Sequence, residues 1–164
     1  MSTGSHIHVR PLEIADFVFV QQLASKQTNF TVPPTYVLWL LLKIKGAICL
    51  LAEDSKKGSL GYLLAVPVEG PENSIFVWQL AVEKNPSREK AMLALLIKLR
   101  TLLTKLGVRN IVFSTLPKSA TFRTIRRYAR RVFFSVPQAT NTVVVDAKES
   151  EFLLMLGRSI PTAR

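Results

Sequence analysis

The chain has very little sulfur chemistry. Its single cysteine, Cys49, rules out an internal disulfide and a multi-cysteine zinc site. On its apolar run, Cys49 reads as a small hydrophobe with no sign of a nucleophile's surroundings. There are two histidines, His6 and His8. A His-x-His pair can ligate a metal, but without a third ligand the terminal, solvated reading stands beside it. Long apolar runs are missing too. Stretches such as Val37–Leu42 fall far short of the ~20 residues a membrane span needs. Met1–Arg10 lacks the apolar core of a secretory leader, so the expected compartment is cytoplasmic. Internal repeats and low-complexity tracts are absent. With 48% hydrophobic and 20% charged residues, disorder, collagen and coiled coil are excluded. A length of 164 residues fits one domain spanning 1–164.

Acidic residues are scarce where basic ones are dense. Segment 84–131 holds thirteen lysines and arginines and one acid, Glu89, while the net charge of the whole chain is +11. The positive field therefore comes from one contiguous piece of chain. It suits a phosphorylated small molecule, nucleic acid or an acidic partner.

Patterning predicts the elements. Ile7–Arg10 reads as a strand, Leu12–Lys26 as an amphipathic helix and Thr35–Ile44 as a strongly apolar helix ended near Gly46. Ala47–Ala52 and Ser59–Val66 form a hairpin around a polar turn, and Ser74–Val82 is a third strand in a branched, aromatic run. After Asn85-Pro86, Ser87 suits an N-cap and Glu89 the first turn of a long helix. Its stripe is Leu95, Leu96, Leu99, Leu102, Leu103 and Leu106, and Gly107 ends it. Asn110–Ser114 reads as a strand, Ser119–Arg131 as a helix, Phe133–Val136 and Thr140–Val145 as strands, and Glu149–Gly157 as a terminal helix or turn. Strand, long helix, strand is a crossover, which makes that strand pair parallel; the hairpins make the rest antiparallel. The fold class is a mixed, mostly antiparallel α/β sheet with flanking helices.

Particular residues carry a resemblance. Ile75-Phe76-Val77-Trp78-Gln79-Leu80-Ala81-Val82, Leu60-Gly61-Tyr62 before a loop with Pro71, Pro34 and Tyr36 at a helix opening, Ala52-Glu53-Asp54, and Gly107-Val108-Arg109 leading into a strand resemble the GNAT acetyltransferase superfamily. Within it they resemble the diaminobutyrate acetyltransferases of ectoine synthesis, over roughly residues 7–133. The resemblance implies that acetyl-CoA lies between a central parallel strand pair that splays apart. Backbone groups of about Leu80, Ala81 and Val82 then meet the pantetheine arm, and the pyrophosphate sits on the first turn of the long helix, Ser87, Arg88, Glu89, Lys90, Ala91 and Met92. The superfamily's Gln/Arg-x-x-Gly-x-Gly/Ala turn falls here on Ser87, Lys90 and Met92, so both glycines are replaced. Arg88 and Lys90 supply charge where glycine allows close approach.

The family's Asn-x-x-Ala-x-x-x-Tyr helix falls on Thr121, Thr124 and Tyr128, followed by Phe133. The resemblance implies Tyr128 as general acid to the leaving thiolate; packing with a solvated hydroxyl is its other reading. Strand Ser74–Val82 carries no acid, which leaves Glu69 and Glu72 as the nearest candidate bases. The family's acidic residue before the second helix is Phe30 here, which removes the partner of a diamine's ammonium. Phe30, Tyr36 and Trp78 form either an aromatic substrate pocket or core.

Arg123, Arg126, Arg127, Arg130 and Arg131 share one helix face over about 140°. One or two of them suit a CoA phosphate; the rest face water, an acidic protein or nucleic-acid phosphates, the last without any supporting motif.

The expected activity is acetyl transfer from acetyl-CoA to the primary amine of a small molecule by direct attack. The alternatives are a non-catalytic GNAT-fold domain that binds a partner or CoA, and a basic nucleic-acid-associated domain. Phe152, Leu153, Leu154 and Leu156 suit packing across a homodimer.

Overall fold

A computed structural model describes residues 6–27, 30–68, 73–108, 110–115, 123, 127, 138–144 and 151–158. In chain order these form β1 (Ile7–Pro11), a 3-10 turn (Ile14–Asp16), α1 (Phe17–Ser25), α2 (Thr35–Lys43), β2 (Ile48–Asp54), β3 (Gly58–Val68), β4 (Ser74–Val82), α3 (Arg88–Leu106), β5 (Asn110–Thr115), β6 (Gln138–Val144) and β7 (Glu151–Arg158). They fall into two compact units: 1–66 with 79–99, and 67–78 with 100–164.

In the first unit β1, β2 and β3 pair antiparallel in sequence order, and the Gln79–Val82 end of β4 follows β3. Leu50, Leu51 and Ala52 are all buried, as is the unbroken run Leu60–Ala65. Strands covered on both faces read as continuous apolar runs, and this pair does. Helix α1 buries Phe17, Val20, Leu23 and Ala24, and the first part of α3 buries Ala91, Met92, Leu95, Leu96 and Leu99. Helix α2 buries only Leu38 and Leu41; Tyr36, Trp39, Leu40 and Ile44 stay exposed, and the Lys43 ammonium lies 5.7 Å from the centre of the Trp39 ring.

The expected single helix over Leu12–Lys26 instead opens as a 3-10 turn. The Glu13 amide donates to Asp16 Oδ2 at 2.8 Å, which closes that turn before α1 starts. Arg10 grips the same carboxylate with two nitrogens, at 2.8 and 2.9 Å, and reaches Glu53 on β2 with Nε at 3.1 Å. One guanidinium thus joins β1, the turn and β2.

In the second unit the Ser74–Trp78 part of β4 pairs in parallel with β5, Ser74 to Val77 against Asn110 to Phe113. This is the parallel pair expected from the crossover. Along this stretch Ile75 and Val77 are buried and Phe76 and Trp78 half-buried, the alternation of a strand. Gly107 ends α3 at φ +65°, the left-handed conformation glycine adopts without cost, and the Val108 amide then donates to the Leu103 carbonyl. Strand β7 pairs antiparallel with both β5 and β6. This corrects the terminal helix or turn expected over Glu149–Gly157. An apolar run such as Phe152–Leu156 has no alternation, so period does not separate an inner strand from a helix; partners on both sides decide for the strand. Residues 138–144 are the strand expected near Thr140–Val145. The strand expected at 133–136 lies outside the described residues, as does all of the 119–131 helix except Arg123 and Arg127. Among the described residues no helix is long and apolar enough to cross a membrane.

The Asp16 carboxyl is held below its ordinary range, first by the hydrogen bonds from Arg10 and then by the Glu13 amide. A depressed folded value adds stability above the ordinary carboxylate range, which is lost as pH falls through the folded value. Urea melts between pH 7 and pH 3 are expected to show that loss in the parent. Asp16→Asn should flatten the acid limb and cost about 1–3 kcal/mol at pH 7. An equally steep acid limb in the variant would acquit Asp16.

Candidate functional site

The centre of the first unit is the end of β4. Gln79, Leu80, Ala81 and Val82 are all buried. Gly61 on β3 lies against them so closely that a Cβ there would sit 2.6 Å from the Ala81 carbonyl oxygen and 2.6 Å from Val82 Cγ1. Two residues earlier the β2–β3 register slips: Ala52 faces Gly61 and Glu53 faces Ser59, so Leu60 is the extra residue of a bulge. Its carbonyl accepts the Glu83 amide at 2.7 Å. Ala81 and Glu83 thus turn their backbone groups to β3, and strand alternation turns those of Leu80 and Val82 to the opposite edge. On that edge the described ladder with β5 stops at Val77, while β4 runs on to Val82.

After β4 the chain turns at once into α3. The Asn85 side chain accepts the Ser87 amide at 2.8 Å, and the Ser87 carbonyl takes the first helical bond, from Ala91. By helix geometry the Lys90 amide has no acceptor inside α3. Arg88 is half-buried and Glu89 and Lys90 are exposed, while Ala91 and Met92 are buried in the core. Met92, at the second glycine position of the family turn, therefore spends its side chain on packing.

Sequence reasoning missed Lys57. Its Nζ donates to the hydroxyl of the buried Ser87 at 3.2 Å. The buried Asp54 places it, accepting the Lys56 and Lys57 amides at 2.8 and 3.2 Å and so fixing the β2–β3 turn. Lys57, Arg88 and Lys90 thus gather on the first turn of α3 from two separate elements. Nothing local in the sequence joins residues 57 and 87.

A second group lies deeper. The Tyr62 hydroxyl donates to Gln79 Oε1 at 2.9 Å, and Gln79 Nε2 donates to the Thr31 carbonyl at 2.8 Å. Burial holds the Tyr62 phenol well above its ordinary range, so it stays protonated and acts as the donor. The expected aromatic residues are dispersed in character. Phe30 is half-buried beside Thr31, Tyr36 is 66% exposed, and Trp78 is half-buried in the second unit. Tyr128, Glu69 and Glu72 lie outside the described residues. Burial pushes the Cys49 thiol up to about 11, which leaves little thiolate for covalent chemistry. Glu83 pairs with Lys26 at 2.9 Å. His6 and His8 are exposed, and no group of three metal-ligating side chains occurs among the described residues.

No family model and no curated protein sequence matches the chain. Solved structures do. Ard1 from Thermoplasma volcanium superimposes with a TM-score of 0.77 at 12% identity, over 94% of this chain and 99% of that one. The ribosomal-protein-S18-alanine N-acetyltransferase from Escherichia coli gives 0.72 at 14%, over 96% and 97%. The diaminobutyrate acetyltransferase EctA from Paenibacillus lautus, solved with L-2,4-diaminobutyric acid and coenzyme A, gives 0.71 at 23%, over 98% and 100%. The chain has the fold of the GNAT acetyltransferases.

The Gly61 contact is testable without any ligand. Gly61→Ala places a methyl against backbone, which cannot swing aside, and should destabilise the protein by about 1–3 kcal/mol. Chemical denaturation measures it; a parent-like midpoint would mean that β4 is not seated on Gly61.

Proposed function

We propose that this chain transfers the acetyl group of acetyl-CoA to the primary amine of a small molecule by direct attack of the amine on the thioester. The observation that carries the reading is the end of β4: a strand continuing past its ladder with β5 and turning directly into a helix whose first turn is cationic. The fold likeness supports it, since solved proteins of this fold include one with diaminobutyric acid and coenzyme A and another with acetyl-CoA.

The residues present suit the cofactor's shape and charge. The backbone of Leu80 and Val82, beside Ala81, offers the pantetheine arm a strand edge with no ladder partner among the described residues. The Lys90 amide, the helix dipole, Arg88, Lys90 and Lys57 meet the pyrophosphate. Here charge does the work of the family's glycines. Ser87, Ala91 and Met92 shape the turn from beneath. Bound acetyl-CoA supplies the activated acyl carbon. The amine nitrogen bonds to that carbon, the carbon–sulfur bond breaks, the amine sheds a proton, and Tyr128 protonates the departing thiolate. With Gln79 neutral on β4, the acceptor reacts as the free amine. Phe30 and Tyr36 give its surroundings an aromatic character, and Phe30, standing where the resembling family has an acid, argues against diaminobutyrate itself.

A glycine-free turn also favours a second reading, a GNAT-fold domain that binds a partner without catalysis. Calorimetric titration with acetyl-CoA at two salt concentrations separates the two. Binding should weaken with salt, and replacing Arg88 and Lys90 together by Ala should cost about 1–3 kcal/mol. No binding by the parent at millimolar acetyl-CoA would overturn the transferase reading.

The chemistry has its own check. With an acceptor found in a panel of amino acids and diamines, Tyr128→Phe should lower turnover on the order of 10²-fold and leave acetyl-CoA affinity nearly unchanged. Parent-like turnover would remove Tyr128 from the mechanism.

A further inference from the structure

The segment Phe30–Pro34, which leads into α2, has an unusual way of being held. Among the described residues no backbone-to-backbone hydrogen bond joins residues 30–33 to the sheet. Pro33 and Pro34 have no amide hydrogen to give, so the segment offers mainly carbonyls. Two of these are taken by side-chain amides from two different elements. Gln79 Nε2, from β4, donates to the Thr31 carbonyl at 2.8 Å. Gln21 Nε2, from α1, donates to the Pro33 carbonyl at 3.0 Å and lies 3.3 Å from Thr35 Oγ1. The two donors differ in surroundings. Gln21 is half-buried, whereas Gln79 is 4% exposed. Because the Tyr62 hydroxyl, fully buried, donates to Gln79 Oε1, the Gln79 amide cannot turn over: its nitrogen must face Thr31. A buried amide committed at both ends is costly to disturb. Thr31 and Val32 themselves are exposed, so packing alone does not pin them.

We infer that Gln79 and Gln21 form a two-point latch on segment 30–35, and that Gln79 is thereby a positioning residue for the acceptor amine, acting through the loop and not through the reacting atoms. The acceptor part rests on the function proposed above, in which Phe30 and Tyr36 belong to the amine's surroundings. The latch itself rests on geometry alone. Its consequence is a division of labour along β4: the backbone at Leu80 and Val82 serves the thioester side, and the side chain at Gln79 serves the amine side.

The test must not leave a buried hydroxyl stranded. The double variant Tyr62→Phe/Gln79→Met replaces both polar partners by apolar groups of similar size, which keeps the interior satisfied. Gln21→Ala opens the latch from its half-exposed end and guards against a folding failure of the first variant. Hydrogen exchange should speed up at least about 10-fold in both variants at Val37 and Leu38, whose amides donate to the Pro34 carbonyl at the latched end of α2, with the α3 core (Leu95–Leu99) unchanged. With a working acceptor, the amine KM should rise about 5-fold or more in the double variant, while the acetyl-CoA KM stays within about 2-fold of the parent. Exchange within about 2-fold of the parent in both variants overturns the latch. Faster exchange with the two KM values moving together overturns the positioning role. If the parent turns over no amine, the proposed reaction fails separately, and the exchange measurement still decides the latch.

Discussion

Backbone can approach backbone at Gly61 because nothing stands between. A side chain on β3 at that point would meet the Ala81 carbonyl at 2.6 Å, so the seating of the β4 end depends on a missing methyl. The bulge at Leu60 belongs to the same arrangement, since it delivers the carbonyl that receives Glu83 and so fixes where β4 stops. From there the chain has four residues, Lys84 to Ser87, in which to turn into α3. The edge presented by Leu80 and Val82, the place of the first helical turn, and the reach required of Lys57 all follow from that one contact.

Charge enters on top of this backbone frame. Helix α3 would attract an anion to its start whatever its sequence, because its first amides and its dipole point there. The particular residues add strength. Arg88 and Lys90 come with the helix, whereas Lys57 arrives from a hairpin turn that Asp54 holds in place. The Asp54 carboxylate is 2% exposed, and it accepts two backbone amides of a turn that carries two lysines. A buried acid here serves to aim a base.

Much of the fold could be read from residue order. Runs such as Leu50–Ala52 and Leu60–Ala65 are apolar without interruption because both faces are covered, and the crossover from β4 through α3 to β5 forced a parallel pair. The same logic misleads over Glu149–Gly157, where the pattern predicts a terminal helix or turn and Glu151–Arg158 is an inner strand. The first turn of α3 was legible because cap, charge and helix lie within six residues. The Lys57–Ser87, Tyr62–Gln79 and Gln79–Thr31 bonds were not, since each joins residues 17 to 48 positions apart through directions a one-dimensional pattern does not encode. Gln79 stood inside the most recognisable stretch of the chain, and its neighbours, not its own identity, show what its amide does.

The order in which the strands of the second unit are made has a consequence for the growing chain. Strand β7 lies between β5 and β6, although it is the last of the three to leave the ribosome. Until Glu151–Arg158 emerges, neither Asn110–Thr115 nor Gln138–Val144 has its antiparallel partner. Both wait as open edges, the kind of surface on which nascent chains pair wrongly. Closure of β7 onto β5 then joins segments far apart in sequence, which is slow relative to local helix formation. During synthesis this half of the protein is therefore the later to be sealed, and the part most dependent on whatever shields unfinished strands in the cell.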